Sequence, residues 1–313
     1  MAFPKLVEKA ASLISYSTVY DQQYLLGFRG LLVTEGFLWV FLQTFVPTAV
    51  AHSANPSGRF YEQITRKTLS VIFWNDSFLC CSIIFLSARS IAIPFIKNPA
   101  KNRIAQSVLC RGITLWFPIA VSLAIVKISM TKEQLENIFD FIGKTDNNSM
   151  QVPYYIPNTL AYFNSVFNIF WTTHNFSIQA GNTAFPSQTL WLITAVYMQS
   201  YTVYMTMIII PYTRKKWRVQ GAFFFILTAW WCDSWAWYSI TGLLFCDMVT
   251  TMNFKATAKR GIPFHIPIRR LRRADGSAFR VPVWVPAGFL VVAGYVMRVP
   301  VDGLPDRSLR SGI

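Results

Sequence analysis

The chain alternates long apolar stretches with short polar and basic segments. Residues 31–51, 69–88 and 112–130 are mainly apolar over about 20 residues each, long enough to cross a bilayer core of roughly 30 Å. Each stretch also contains polar or ionisable side chains, which lipid tolerates poorly. This pattern predicts transmembrane helices with a polar face turned toward the interior of a bundle. The polar residues concerned are Glu35, Gln43, Asn75, Asp76 and Lys127.

Further apolar stretches continue the pattern toward the C-terminus. We expect spans over residues 189–210 and 282–299, and an aromatic interfacial or re-entrant helix over 159–173. One helix over 219–251 would be roughly 50 Å long, too long for a single crossing. Two short crossings with a break near Cys232–Ser234 are therefore expected. The chain is predicted to be an all-α, polytopic transmembrane helix bundle of about seven spans, with six to eight as the range.

The same pattern divides the chain into four segments. Residues 1–28 are expected to form an amphipathic N-terminal segment, and residues 29–251 the transmembrane bundle. The bundle includes a long connection at 131–188. A basic loop at 252–281 follows, and residues 282–313 supply the last span and a tail.

The composition excludes an ordinary soluble domain. Hydrophobic residues make up 53% of the 313 residues and charged residues only 14%, and the mean hydropathy is +0.35. The five cysteines lie in or beside apolar stretches, and none has metal-ligand spacing with a histidine. We therefore expect reduced, packed thiols and no metal site.

The basic residues set the expected orientation. The net charge is +15, and Lys and Arg cluster beside spans at 214–218 and 269–273, which is typical of cytoplasmic loops. We expect a cytoplasmic N-terminus, a lumenal 131–188 connection and residence in the endoplasmic reticulum membrane. Glycosylation sequons at Asn147 and Asn175 fit the lumenal placement. No nucleic-acid-reading module accompanies the charge, so membrane lipids are the expected partners rather than nucleic acid.

Five short motifs follow one another between residues 24 and 247. They are YLLGFRGL at Tyr24–Leu31, FLCCSIIFLS at Phe78–Ser87, RGITLWFP at Arg111–Pro118, Leu190-Trp191 followed by Ser200, and GLLFCD at Gly242–Asp247. Their order and spacing resemble the motifs of the membrane-bound acyltransferase-3 family, particularly its fungal branch. A divergent and shortened version of that family's ten-helix unit is therefore expected.

The resemblance implies an acyltransferase that moves an acyl group, expected to be acetyl, from acyl-CoA to a hydroxyl of a lipophilic small molecule. Specialised-metabolite biosynthesis is the implied setting, with acyl-CoA as co-substrate and no tightly bound cofactor. Arg29 matches the arginine before the family's first span and would hold a CoA phosphate through two parallel hydrogen bonds. The candidate acyl-CoA-binding or substrate-binding residues are Arg29, Gln43, Ser82, Arg111 and Trp191.

Several positions that are polar in the family differ here. The family's catalytic histidine falls on Val40, an arginine on Thr114 and a glutamate on Val196. Because a valine cannot move a proton, catalysis would require other groups. The candidate catalytic residues are Glu35, Asp76 and His174.

Two other functions fit the same features. The joint loss of the expected polar residues fits a non-catalytic membrane scaffold or carrier of the same family. A polar interior alone fits a membrane-embedded cyclase or isomerase that uses Glu35 or Asp76. The alternative role for Glu35 is structural, in an ion pair with Arg29 or Lys127.

Overall fold

A computed structural model describes residues 23–50, 59–97, 101–145, 150–171 and 176–252, with the short pieces 254, 262–264, 279–282 and 288. This part of the chain is mainly helical. Its helices are α1 (Gln23–Phe45), α2 (Phe60–Lys67), α3 (Leu69–Ile72), α4 (Asp76–Lys97), α5 (Lys101–Ser129), α6 (Lys132–Thr145), α7 (Thr159–Trp171), α8 (Ala180–Ala184), α9 (Trp191–Ile209), α10 (Lys215–Trp231) and α11 (Ala236–Thr251). Two short strands, β1 (Ile262–Phe264) and β2 (Phe279–Val281), pair antiparallel.

Within the described residues, four helices are long and apolar enough to cross a membrane. The qualifying stretches are Leu25–Phe45 in α1, Asp76–Lys97 in α4, Ile104–Ser129 in α5 and Trp191–Tyr212 across the end of α9. Helices are the expected spanning elements of a membrane protein, because a helix satisfies most of its backbone polar groups within itself. The predicted helical bundle is confirmed at this level. The count of seven spans stays a prediction.

The 219–251 region forms a helical hairpin. Helices α10 and α11 have 17 and 16 residues, and the chain turns between them, with Asp233 in the left-handed conformation at φ 52°. Lys215 Nζ, at the start of α10, donates to the Thr251 carbonyl at the end of α11 over 3.1 Å. The two helices are therefore antiparallel, and the break occurs where the sequence places it.

Helix α4 occupies the centre of the bundle and packs against α1, α9 and α11. The approach of α11 depends on Gly242, since a Cβ there would lie 2.6 Å from the Phe85 carbonyl oxygen. Small residues permit such close helix contacts in membranes. The apolar core around this contact includes Ala88, Ala92, Val203, Met207, Ile240, Leu243 and Cys246.

Side-chain pairs fix the relative direction of α5 and α9. Ser107 bonds to Tyr204 and Arg111 bonds to Ser200, so residue numbers rise along one helix as they fall along the other. The two helices are antiparallel. The end of α5 and the start of α9 therefore lie at the same end of the bundle, and the connection between them begins and finishes there. That this end is lumenal stays a prediction.

Helix α7 packs between α5 and α9. Tyr162 Oη donates to the Ala120 carbonyl at 2.7 Å, and Thr194 Oγ1 donates to the Ile169 carbonyl at 2.6 Å. The predicted aromatic helix is thus present, and it lies against two membrane-length helices. Its opposite face is exposed and mostly apolar, with Leu160 and Trp171 72% and 73% exposed and Asn164 between them.

The second predicted span is displaced along the sequence. The apolar stretch predicts it over 69–88, but helix α4 begins at Asp76 and continues to Lys97. Asn75 Oδ1 and Asp76 Oδ1 both accept from the Ser77 amide, at 3.0 and 2.6 Å, and this caps the first turn. Asp76 therefore starts the helix instead of lying midway along a span.

The basic segment 89–111, which lies between the second and third apolar stretches of the sequence, is mostly helical. Helix α4 runs through Arg89 to Lys97, and α5 already begins at Lys101. Arg89 is only 9% exposed. A count of Lys and Arg beside spans treats every basic residue as part of an aqueous loop. A long arginine side chain can instead extend along a helix and remain inside the bundle.

Some expectations concern residues outside the described part of the chain. These are the segment before residue 23, Asn147, His174, Asn175, the greater part of the basic loop at 252–281, and the span at 282–299.

Candidate functional site

The candidate site is an arginine held between three helices. Arg111 on α5 donates from Nε to Ser200 Oγ on α9 at 3.1 Å, and from Nη2 to Ser87 Oγ on α4 at 2.5 Å. Ser200 in turn donates to the Val196 carbonyl at 2.6 Å, which turns its lone pairs toward the guanidinium. Arg111 lies seven residues past Ile104, roughly 10 Å into a membrane-length stretch.

A row of tyrosines on α9 adjoins this arginine. Tyr204 is 3% exposed, and its hydroxyl lies 2.8 Å from Ser107 Oγ, one turn of α5 before Arg111. Closer to the start of α9, Tyr201 donates to the Tyr197 hydroxyl at 2.7 Å. The hydroxyls therefore extend a polar track along the α5–α9 contact, toward α7.

The two serines also line a narrow crevice between α4, α9 and α11. Its walls combine apolar side chains with four polar groups, and the space between them is too tight for a water molecule. Ser239 on α11 donates to Gln199 Oε1 at 3.3 Å across it. The lining residues are Ile84, Ser87, Ala88, Val196, Gln199, Ser200, Val203 and Ser239.

The charge of Arg111 has no carboxylate partner within the described residues. The ion pair seen there is a different one, Arg218 to Asp247, with Nη1 and Oδ1 3.3 Å apart. Of the five N–H donors of the Arg111 guanidinium, two bond to serines, so three make no hydrogen bond to described residues. A cation at this depth favours an anionic or strongly polarised partner.

The sequence-predicted carboxylate Glu35 lies elsewhere, on α1. It is 8% exposed, and its Oε2 has no hydrogen-bond partner among the described residues. One turn before and after it, Leu32 and Trp39 pack against α4. The structural alternative is not observed, because neither Arg29 nor Lys127 forms an ion pair with it in the described structure. Lys127 Nζ instead lies 5.8 Å from the centre of the Tyr162 ring.

The other candidate carboxylate, Asp76, is occupied at the start of α4. Its Oδ1 accepts from the backbone amide and the hydroxyl of Ser77, at 2.6 and 3.3 Å. Eleven residues, roughly 16 Å of helix, separate it from Ser87. Neither Asp76 nor Glu35 bonds to Arg111, so the structure does not assemble the predicted catalytic carboxylates with this arginine.

The predicted binding residues lie in different parts of the bundle, and of these residues only Arg111 belongs to the site. Arg29 is exposed, and Gln43 and Ser82 are half-buried on α1 and α4. Trp191 is at the first turn of α9, nine residues before Ser200, and its ring lies 5.4 Å from that of Trp235. These side chains occupy different faces and ends of the bundle.

Ser87 and Ser200 are the functional candidates that sequence analysis did not select. Both occur inside motifs quoted above, but neither differs by type from the many other hydroxyl residues in the apolar stretches. Most of those hydroxyls bond to a carbonyl one turn earlier in their own helix, as Thr114 does to Cys110 at 2.8 Å. The only signal that could have identified them is their shared position opposite Arg111, and the two serines lie on different helices.

No family model, no curated protein and no solved structure matches this chain. The acyltransferase-3 resemblance therefore rests on the motifs alone.

Proposed function

We propose that this protein is an integral-membrane acyltransferase in which Arg111 holds the acyl-CoA donor near its thioester. The observation that supports the proposal is the guanidinium of Arg111, fixed by Ser87 and Ser200 and bonded to no described carboxylate. A guanidinium prepared in this way can donate two parallel hydrogen bonds to an oxyanion or a phosphate. In a low-dielectric site it would also stabilise charge that develops on a carbonyl oxygen.

The distribution of charge supports entry of the donor from one end. The start of α5 at Lys101 and the start of α10 at Lys215 lie at the end of the bundle where α4 finishes. The C-terminal end of α1 lies near the start of α4, since Ser70, shortly before α4, bonds to the carbonyl of Ala49, shortly after α1. Arg29 is consequently at the basic end, exposed, and suited to a CoA phosphate at the surface.

In the proposed reaction, the hydroxyl of a lipophilic acceptor attacks the thioester carbonyl, and CoA leaves as the thiol. Arg111 would stabilise the tetrahedral oxyanion, and the acceptor would approach through the apolar, tyrosine-lined side of α9. Removal of the hydroxyl proton needs a base. Of the sequence candidates, Asp76 caps the start of α4 and Glu35 faces the α1–α4 contact, so neither is placed to act beside Arg111. His174 is the remaining candidate base from the sequence.

A second candidate function is a carrier for an amphipathic anion, such as a long-chain carboxylate. The observation that favours it is the chemistry of the groups that contact Arg111. Among the described residues, the groups that bond to Arg111 are serine hydroxyls, and no carboxylate or imidazole bonds to it. Such a site can bind an anion but has no group that accepts a proton at neutral pH.

The two functions are separated by measuring binding and turnover on the same protein. The chain in nanodiscs would be given radiolabelled acetyl-CoA and a panel of lipophilic alcohols, with bound label and ester product both recorded. Arg111→Lys should reduce acyl-CoA use by about tenfold, and Arg111→Gln by about 10²-fold. Ser200→Ala should have a smaller effect, because it removes one orienting bond.

Thr114→Val is the matched control. Thr114 lies on the same helix, is exposed, and bonds only to carbonyls of its own helix. Its loss should leave binding and turnover unchanged. Arg111-dependent binding without ester formation would support the carrier instead, and acyl-CoA binding that is indifferent to Arg111 would refute the acyltransferase.

A further inference from the structure

We infer that helix α6 is a membrane-surface helix whose apolar face inserts into the lipid headgroup region. The sequence alone marks residues 131–145 as the acidic start of a long connection. In the structure this segment is instead a regular helix, Lys132–Thr145, of 14 residues. The inference concerns lipid contact and does not depend on acyl transfer.

The arrangement of side chains around α6 is strongly two-sided. Leu135, Ile138, Phe139 and Ile142 follow the i, i+3, i+4, i+7 spacing and occupy an arc of about 100°. The opposite side carries the polar residues Glu133, Glu136, Asn137, Asp140 and Lys144. A pronounced two-sided pattern with low overall hydrophobicity is typical of helices that lie in a membrane interface.

The apolar arc is only partly covered by protein. Leu135 is 9% exposed, and Ile138 and Ile142 are half-buried, so one edge of the helix rests on the chain. Phe139, at the other edge of the arc, is 67% exposed. A helix in water would gain by burying this ring, and the described residues do not provide the surface.

The position of α6 supplies the partner. The membrane-length stretch of α5 ends at Ser129, and α6 begins three residues later at Lys132. Thr131 starts the helix, since its amide donates to Gln134 Oε1 at 3.4 Å and its carbonyl accepts from the Leu135 amide at 3.1 Å. With so short a link, α6 must lie beside the end of the α5 span, where a bilayer surface would be.

Neighbouring helices extend the same apolar surface. The outward side of α5 stays apolar to its end, with Ile125 and Ile128 58% and 80% exposed. Helix α7 presents an exposed apolar face that includes Phe163 and Phe167. Lipid that covers these faces would reach Phe139 as well. The charged residues of α6 are two Lys, two Glu and one Asp, so the contact would depend on apolar insertion and not on anionic lipid.

The test compares two positions on opposite sides of α6. Single cysteines at Phe139→Cys and Asn137→Cys would be made in a chain with its five native cysteines replaced, and labelled with a fluorophore in zwitterionic lipid nanodiscs. Asn137 is exposed on the polar side, two residues from Phe139. Doxyl-labelled lipid should quench position 139 at least about threefold more than position 137, and aqueous iodide should show the reverse preference.

Other outcomes would overturn the inference. Equal access of iodide to both positions would place α6 in water. Protection of position 139 from iodide without quenching by doxyl lipid would show that protein covers the face, whether this chain, a second copy or another partner. Ile142→Cys is the second reporter on the same arc, so a folding defect in the Phe139 variant would not leave the question open.

Discussion

The ion pair between α10 and α11 gives the most quantitative prediction. The Asp247 side chain is 3% exposed, and its two oxygens lie 3.3 and 3.4 Å from Arg218 Nη1. The Arg218 side chain is 17% exposed, and its Nε donates to the Thr213 carbonyl at 2.8 Å. The carboxylate is thus almost fully buried, whereas the guanidinium retains some access to the surface.

This difference in burial predicts unequal costs for removing either partner. Arg218→Gln would leave the Asp247 carboxylate buried without a counter-charge, which costs about 3–5 kcal/mol of the free energy of unfolding. Asp247→Asn would leave a cation that can extend toward water, so about 1–2 kcal/mol is expected. A loss of about 3 kcal/mol corresponds to a fall in Tm of roughly 6–12 °C.

Thermal unfolding of the purified protein in detergent, followed by size-exclusion chromatography after heating, would measure these shifts. Arg214→Gln is the matched control, because Arg214 is an exposed member of the same basic cluster. The double variant Arg218→Gln with Asp247→Asn should recover part of the stability lost by Arg218→Gln alone. The reasoning is refuted if Asp247→Asn is the more damaging change, or if Arg218→Gln is no worse than Arg214→Gln.

Three further predictions concern other parts of the chain. Gly242→Ala should destabilise the α4–α11 contact by about 1–3 kcal/mol, because its Cβ would lie 2.6 Å from a backbone carbonyl oxygen; Gly30→Ala, which meets nothing within 4 Å, should show no loss in the same unfolding assay. The Thr48 hydroxyl, 2.7 Å from Glu62 Oε2, holds the pKa of Glu62 below its usual value. The stabilisation is therefore present at neutral pH and is lost as the pH falls from the ordinary glutamate pKa of about 4.3 through the lower folded-state pKa, so the Tm difference between wild type and Glu62→Gln should shrink in acid. Arg29→Lys should insert normally, since topology depends on charge, yet weaken acyl-CoA use by about tenfold in the labelled acetyl-CoA assay; equal use by both forms would make Arg29 only an anchor.

Local sequence was a good guide to which segments become helices. The apolar stretch 189–210 corresponds to α9, and the aromatic segment 159–173 corresponds to α7. The stretch 31–51 overlaps α1, but that helix begins earlier, at Gln23, and ends at Phe45. Local sequence was a poorer guide to boundaries near polar residues. Asn75 and Asp76 looked like polar intrusions in a span, but their side chains accept the amide of Ser77 and begin helix α4.

The candidate site could not be predicted in the same way. Arg111 was selected as a binding residue, but its partners Ser87 and Ser200 lie 24 residues before and 89 residues after it. Glu35 was selected for its buried charge and is indeed buried, yet it faces the α1–α4 contact. Residue type alone did not distinguish Arg111, which belongs to the candidate site, from Glu35, which does not.

The sequence by itself determined that this is a helical chain with membrane-length apolar segments, because helix formation and lipid partitioning depend on composition within a window of about 20 residues. Only the tertiary structure decided which polar groups meet. That outcome depends on the rotation of each helix about its axis and on contacts as close as Gly242 against Phe85, which no single window contains. For this reason α4, α5 and α9 bring one arginine to two serines, while Glu35, Asp76 and Trp191 remain apart from it.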